Sequence, residues 1–241
     1  KLPLARDILG KFARFAPKPG ISGIFRLKKP GKSGKMNESK SNETRGPAPP
    51  EKGNAMSPKL AKWIRIFTLP QVMALIAIAL LWGDYPPGHG WFAALALTGL
   101  PLLSYAVWRA VPALHARGRD TQRKLAVIFS VSGYGLGLAL SLAEGGRGTE
   151  LFVYLAYALT GALVAVSPRL FGSRASGHAA GTAGPVMILA LRKSPWFLLG
   201  LGLLLPVFSS SRALGRHTSR ELWLGTAHAI VSALILALLF R

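Results

Sequence analysis

The sequence predicts an all-α membrane protein, a polytopic bundle of six or seven transmembrane helices that follows a disordered basic tail. Half of the 241 residues are hydrophobic and only 16% are charged. The charges are concentrated in the first third of the chain and in short gaps between apolar runs. Several of those runs approach the ~20 apolar residues that a helix needs to cross the hydrocarbon core of a bilayer. We therefore divide the chain into a tail, residues 1–58, and a transmembrane helical domain, residues 59–241.

The tail is rich in Lys, Gly, Pro, Ser and Asn, and residues 28–54 lack any apolar periodicity that could build a core. We therefore expect it to be disordered. An alternative for its beginning is a short basic helix on a membrane surface, with an apolar face made of Leu4, Ile8, Leu9, Phe12 and Phe15. We favour a different interpretation, in which this region precedes the true start of the protein, because the chain opens on Lys and both Met36 and Met56 are candidate starts.

Seven apolar runs follow the tail, and each is a candidate transmembrane helix. They cover residues 63–82, 91–111, 125–143, 151–166, 178–191, 196–209 and 222–240. The fifth and sixth runs are short, so we expect flanking residues or helix tilt to complete them. Glycines inside the runs favour close helix packing in lipid. Tryptophans near the run ends are typical of the membrane interface, and they are Trp63, Trp82, Trp91 and Trp223.

The basic residues between the runs predict the orientation of the chain. Lys59, Lys62 and Arg65 precede or open the first run, whereas the loop at 83–90 contains no Lys or Arg. Since Lys and Arg collect on the cytoplasmic side, we expect a multi-pass protein of the cell membrane with its amino terminus in the cytoplasm. If all seven runs cross, the segments 167–177 and 210–221 also face the cytoplasm.

The net charge of +21 does not by itself indicate nucleic acid as a partner. In a membrane protein the same basicity is explained by cytoplasmic loops that lie against anionic lipid headgroups, so we expect such lipids and no nucleic acid. The absence of cysteine excludes thiol catalysis, thiolate metal sites and disulfides. No His or carboxylate cluster in the sequence is typical of a metal site, and we expect neither a metal nor a cofactor.

Two polar segments contain the residues that could perform chemistry. The first, residues 172–179, reads GSRASGHA, and the second, residues 211–221, reads SRALGRHTSRE. Each leads directly into an apolar run, and an antiparallel helical hairpin between them would bring both to one membrane face. Ser, Gly and Arg at the start of a helix present hydrogen-bond donors to an anion, which favours a phosphate group.

Two histidines, a carboxylate and several arginines predict phosphoryl transfer to a histidine nucleophile. Glu221 follows His217 by four residues, which is one helical turn if the segment is helical, and it could orient the imidazole ring. Arg212 and Arg174 could neutralise the phosphate oxygens. Ser176 and the amide of Gly177 could add hydrogen bonds to the same group.

The two segments resemble signatures of the type-2 phosphatidic acid phosphatase superfamily of membrane lipid phosphatases. Ser176, Gly177 and His178 match the second signature, Pro-Ser-Gly-His, with Ala175 in place of Pro. The third signature is Ser-Arg, a spacer, His, three residues and Asp. It is matched with a spacer one residue shorter and with Glu in place of Asp, by Ser211, Arg212, His217 and Glu221.

The resemblance implies a role for each matched residue. His217 would be the nucleophile and His178 the general acid, while Glu221 would orient His217. Arg212 and Ser176 would hold the phosphate, and no metal would be needed. The first signature, Lys, six residues and Arg-Pro, does not precede Ser176 in the apolar region, so the chain resembles a divergent branch. Either Arg174 or Arg169 would supply the missing positive charge.

Two functions follow as expectations. The first is a metal-independent phosphatase that hydrolyses a lipid phosphate monoester or diphosphate, such as phosphatidate or a polyprenyl phosphate. The second is a catalytically silent transporter or anionic-lipid-binding protein that uses the same cationic site. We expect His89 and His115 to be solvated surface residues. We expect His228, which lies inside an apolar run, either to line the floor of the site or to form a hydrogen bond between helices.

Overall fold

The computed structural model describes residues 56–145 and 148–240, and over these ranges the chain is helical with no strand. The predicted tail lies outside the described residues except for its last three positions. The α-helices are α1 (Pro58–Phe67), α2 (Pro70–Leu80), α3 (His89–Ala94), α4 (Leu100–Ala110), α5 (Pro112–His115), α6 (Gly118–Ala143), α7 (Thr149–Phe171), α8 (Gly177–Arg192), α9 (Leu204–Ala213) and α10 (Ser219–Leu239). A π-helical turn, Leu95–Gly99, joins α3 to α4, and a 3-10 segment, Pro195–Leu203, leads into α9.

Six helical segments of the described chain are long and apolar enough to cross a membrane. They are Pro58–Leu80, His89–Ala110, Asp120–Ala143, Thr149–Phe171, Pro195–Ala213 and Ser219–Leu239. The prediction of an all-α bundle with six or seven membrane helices is confirmed, and the chain is a multi-pass membrane protein. The fifth predicted run becomes α8, whose 16 residues span about 24 Å at the usual rise of an α-helix.

Helix α8 is the central helix of the bundle although it is short. Eleven of its residues are buried, and it packs against α2, α7, α10 and the 3-10 segment. Small residues allow this close packing: a Cβ atom on Gly181 would lie 2.4 Å from the Cβ of Pro70 at the start of α2. Large apolar side chains on the outer helices remain exposed, as lipid contact requires; among them are Leu75, Leu102, Val127, Leu199, Leu205 and Leu238.

The first membrane segment is divided where α1 ends and α2 begins. Pro70 is the first residue of α2, and Leu69 before it has an extended ψ of 138°. A residue before proline is disfavoured in the helical region, because the proline ring collides with its backbone. Thr68 ends α1 as its C-cap residue. The break therefore gives Thr68 a fixed place beside α8.

Successive passes return the chain to two opposite faces, which we call the site face and the far face. The site face contains the predicted polar segments at 172–179 and 211–221. Arg65 of α1 also contacts Ser211 there, so the first pass starts on the side of the site. With α8 counted as a pass, seven passes connect the two faces.

The far face contains an ion cluster that the sequence analysis missed. His89 Nε2 lies 2.7 Å from Glu144 Oε2, and His89 Nδ1 lies 2.9 Å from Glu150 Oε1. Glu150 is only 1% exposed. The prediction of a solvated surface role for His89 is therefore wrong: the ring joins the start of α3 to both ends of the α6–α7 connection. His115 is exposed on the other face, with its ring 4.3 Å from that of Trp108.

Candidate active site

The first polar segment forms the connection from α7 to α8. Gly172 ends α7 in the left-handed conformation at φ 60°, which suits a residue without a Cβ. Ser176 is the N-cap of α8, and its Oγ accepts a hydrogen bond from the amide of Ala179 at 3.3 Å. The amides of Gly177 and His178 then lie in the first turn, where no carbonyl of the same helix can reach them. This helix start is available to an anion.

Ser176 is fully buried and its oxygen is used by the cap. Ser176 therefore acts in the structure as the N-cap of α8, immediately before Gly177 and His178. Direct binding of phosphate by the Ser176 hydroxyl stays a prediction.

The second polar segment begins with a tight helix end. Gly215 follows α9 in the left-handed conformation, at φ 58°. The amide of Gly215 donates to Arg212 O and the amide of Arg216 donates to Ser211 O, both at 2.9 Å, which is the Schellman pattern of helix termination. The chain therefore turns sharply at the end of α9 and continues directly to His217.

His217 lies immediately before α10, outside the helix. Thr218 is the N-cap, and its side chain accepts from the amide of Glu221, while Glu221 Oε2 accepts from the amide of Thr218 at 3.1 Å. The same Oε2 atom lies 3.0 Å from His217 Nδ1. The pairing thus comes from a capping box that turns Glu221 back toward His217, rather than from a shared helical face. Since Nδ1 is held by the carboxylate, Nε2 is the free nitrogen of the His217 ring.

The starts of α8 and α10 meet in one place. The amide of Ser176 donates to Glu221 O at 2.8 Å. Gly225, one turn further along α10, lies so close to this segment that an added Cβ would be 2.2 Å from Ser176 O. The hairpin of α8 and α9 therefore brings the two predicted segments together at one membrane face.

His178 is buried in the first turn of α8, where the starts of α8 and α10 meet. It is 7% exposed, and its Nε2 lies 3.0 Å from Thr68 Oγ1. Arg65 and His217 are both near enough to act on His178 electrostatically. The two histidines and Glu221 thus belong to one cluster with a cation beside it.

Arg65 is the residue of this cluster that the sequence analysis missed as a site residue. Its Nη1 donates to Ser211 Oγ at 2.7 Å, and Ser211 is fully buried. On the sequence alone, membrane orientation is a sufficient explanation for Arg65. A signal was present, because Arg65 lies inside the first membrane segment, and an ionisable residue within such a segment is a candidate functional residue. The chain separation of 146 positions hid its partner.

The arginines that the sequence predicted as phosphate ligands are less closely held than Arg65. Arg212, Arg174 and Arg169 are exposed, and none of the three side chains has a hydrogen bond or ion pair within the described residues. Arg216 is also exposed and acts on Arg65 electrostatically. Arg220 differs, since its Nη2 donates to Phe171 O at 2.8 Å. The described site face therefore carries several arginines whose side chains have no acidic partner among the described residues.

His228 is buried in α10, with its ring centre 5.6 Å from that of Phe171. Its Nε2 has no hydrogen-bond partner within the described ranges. The expected hydrogen bond between helices is therefore absent for this atom.

The cluster contains the kinds of side chain that phosphoryl transfer to a histidine would require. His217 has one nitrogen fixed by Glu221 and one free, His178 lies beside it, and Arg65 and the first amides of α8 provide positive potential for phosphate oxygens. Within residues 56–145 and 148–240, no group of three or more His, Asp or Glu side chains is arranged to hold a metal ion.

The chain matches no model of a known protein family, no curated protein and no solved structure. Its resemblance to the type-2 phosphatidic acid phosphatases is carried by the residues of the two polar segments alone.

Proposed function

We propose that the protein is an integral membrane phosphatase that hydrolyses a lipid phosphate monoester or diphosphate, of the phosphatidate or polyprenyl phosphate class, through a phosphohistidine intermediate. One observation carries the proposal: Glu221 Oε2 lies 3.0 Å from His217 Nδ1 beside His178 and Arg65. A carboxylate in this position fixes the tautomer of the ring, so that the other nitrogen holds the lone pair that a nucleophile requires.

In the first step, His217 Nε2 attacks phosphorus and the bond from phosphorus to the leaving oxygen breaks. His178 gives a proton to that oxygen, which leaves as the lipid alcohol from a monoester or as the lipid monophosphate from a diphosphate. Glu221 stabilises the cationic phosphohistidine through Nδ1. Arg65 and the amides of Gly177 and His178 bind the phosphate oxygens as charge develops on them.

In the second step, water attacks the phosphorus of phosphohistidine. His178, now neutral, takes a proton from that water, and the bond between phosphorus and His217 Nε2 breaks. The products are inorganic phosphate and the starting form of both histidines. No further reactant is consumed.

The position of the cluster supports a lipid substrate. It is at the end of membrane helices, so a substrate with an apolar tail can remain in the bilayer while its phosphate reaches the starts of α8 and α10. The exposed arginines Arg169, Arg174, Arg212 and Arg216 raise the local concentration of anionic headgroups, and each basic group near a membrane surface contributes about 1 kcal/mol to such attraction.

The site face is also proposed to be cytoplasmic. The site face contains the basic residues around Arg117 and Lys124 as well as the arginines of the site. At the described far face, Arg192 and Lys193 are the Lys and Arg residues. The chain has no cysteine, so single cysteines can test this directly. Ala213→Cys on the site face should be labelled from the cytoplasmic side and Pro86→Cys on the far face from outside. The opposite pattern would reverse the orientation.

The phosphatase proposal is tested by phosphate release from a panel of phosphatidate and polyprenyl mono- and diphosphates, with purified protein in detergent and a metal chelator present. The expected result is release by the wild type and by the surface variant His115→Ala, and none by His217→Ala or His178→Ala. Labelled phosphate should be trapped on the wild type and not on His217→Ala. Release that is unaffected in His217→Ala would refute the mechanism.

A second candidate function, the binding or transport of anionic lipids without chemistry, is favoured by the same unpaired arginines. It predicts that the folded wild type binds the lipids of the panel and releases phosphate from none. Charge reversal at Arg212 would then weaken lipid binding, while His217→Ala would leave it unchanged.

A further inference from the structure

Thr68 lies between the backbone of α1 and the imidazole ring of His178. Its Oγ1 donates to Ile64 O at 2.7 Å, and it lies 3.0 Å from His178 Nε2. Thr68 and His178 are both buried, at 7% exposed each. No sequence pattern connects Thr68 with His178, since 110 positions separate them.

The single proton of the Thr68 hydroxyl decides the direction of the second hydrogen bond. A carbonyl oxygen can only accept, so the proton is directed to Ile64 O. Thr68 Oγ1 must then accept from His178, which places a proton on Nε2 of the ring. His178 Nδ1 has no hydrogen-bond partner among the residues that the structure describes. In neutral His178, Nδ1 is therefore the nitrogen with a free lone pair.

The backbone around Thr68 holds this arrangement in place. Thr68 is the C-cap residue of α1, and its own amide also donates to Ile64 O at 2.9 Å. The break at Pro70 stops the helix there, and α8 approaches the break closely because Gly181, one turn after His178, has no Cβ. The α1–α2 break and the start of α8 are thus closely packed where the His178 ring lies.

We propose that Thr68 is a positioning residue that holds His178 through Nε2, so that Nδ1 is the nitrogen that exchanges protons with substrate and water. This inference rests on the proposed function. In the first step, His178 is cationic because the anionic phosphate is bound beside it, and its Nδ1 proton moves to the leaving oxygen as the phosphorus–oxygen bond breaks. The ring keeps its Nε2 proton. In the second step, Nδ1 takes a proton from the attacking water and the cation is restored.

Thr68→Val tests the inference, because valine has nearly the shape of threonine and cannot accept a hydrogen bond. Without an acceptor at Nε2, the ring can turn or change tautomer, and general acid catalysis contributes about 10²- to 10⁴-fold. We expect kcat to fall at least about tenfold, with KM nearly unchanged because Arg65 and the amides of α8 are untouched. Thr68→Ser keeps the hydroxyl and should restore most of kcat. A full kcat in Thr68→Val, or equal losses in the valine and serine variants, would overturn the proposal.

A second measurement reads the ring directly and does not depend on phosphatase activity. In protein labelled with ¹⁵N-histidine, neutral His178 should show a protonated Nε2 and an unprotonated Nδ1, with its signals assigned by their loss in His178→Gln. Thr68→Val should populate the other tautomer or average the two, and Thr68→Ser should not. A protonated Nδ1 in the neutral wild-type ring would overturn the inference even if the enzyme is active.

The two measurements separate failure of the inference from failure of the proposed function. If the wild type released no phosphate from any lipid while the ring showed the expected tautomer, the contact with Thr68 would be supported and its catalytic role would fall with the phosphatase. If phosphate were released and the tautomer were wrong, the phosphatase would stand and the role of Thr68 would be refuted.

Discussion

Replacing Glu221 by glutamine separates the catalytic role of this carboxylate from its structural one. Glu221 Oε2 accepts from His217 Nδ1 at 3.0 Å and from the amide of Thr218 at 3.1 Å. Gln keeps the size of the side chain and removes the charge. A hydrogen bond to a charged group contributes about 1.5 to 3 kcal/mol, against about 1 kcal/mol for a neutral one. Most of this difference appears only when His217 becomes cationic on phosphorylation.

The difference between these values is about 0.5 to 2 kcal/mol. We therefore expect Glu221→Gln to lower kcat by about 2- to 30-fold, at 1.36 kcal/mol for each factor of ten. The helix cap is weakened less, because Thr218 still accepts from the amide of residue 221. We expect a loss of roughly 0.5 to 1 kcal/mol in the free energy of unfolding. Phosphate release and thermal unfolding in the same detergent measure the two effects.

Thr218→Ala is the matched control. It removes the N-cap hydroxyl, which costs about 1 kcal/mol of stability, and leaves Glu221 beside His217. We expect this variant to be at least as destabilised as Glu221→Gln and to keep a kcat near that of the wild type. If the two variants lost activity in parallel with stability, the carboxylate would act as a helix cap alone, and the reasoning would be refuted.

The remaining predictions concern Arg65, the packing of α8 and the far face. Arg65→Gln should raise KM and lower kcat for phosphate release, each by about tenfold or more, because it removes a cation beside the phosphate. Lys62→Gln, at an exposed residue of the same helix, should change either constant less than twofold. Equal effects of the two substitutions would contradict a site role for Arg65. Gly181→Ala should lower unfolding stability by about 1 to 3 kcal/mol, since its Cβ would collide with Pro70. Gly184→Ala, whose Cβ would meet Ala229 at 3.9 Å, should be neutral in the same thermal assay, and a reversed order would refute the packing argument. His89→Ala should leave buried Glu150 unpaired and so lower the free energy of unfolding by about 1 to 3 kcal/mol, together with the unfolding temperature. Phosphate release measured below the unfolding temperature should be unchanged. An unaffected unfolding temperature would contradict the role of the far-face cluster.

The membrane class and much of the site could be predicted from the sequence. The free energy of transferring a run of residues from water to the bilayer depends on that run alone, so the membrane spans can be recognised without knowing which helices lie beside them. The α8–α9 hairpin and the pairing of Glu221 with His217 were also accessible, because they depend on residues close along the chain. The cause of the pairing differs from the predicted one, because Glu221 reaches His217 through the capping box at Thr218 and not through a shared helical face.

The tertiary structure decided which distant residues join that local arrangement. Arg65 and Thr68 reach Ser211 and His178 because the first membrane segment breaks before Pro70, so that α1 packs against α9 while α2 packs against α8. No pattern within α1 encodes those partners. The far-face pairing of His89 was hidden for the same reason. Sequence alone determined that this chain crosses a membrane and where its polar segments lie, since both follow from local hydrophobicity and short spacings. The choice of partners across the bundle depends on how closely helices pack, and that is a property of the whole fold.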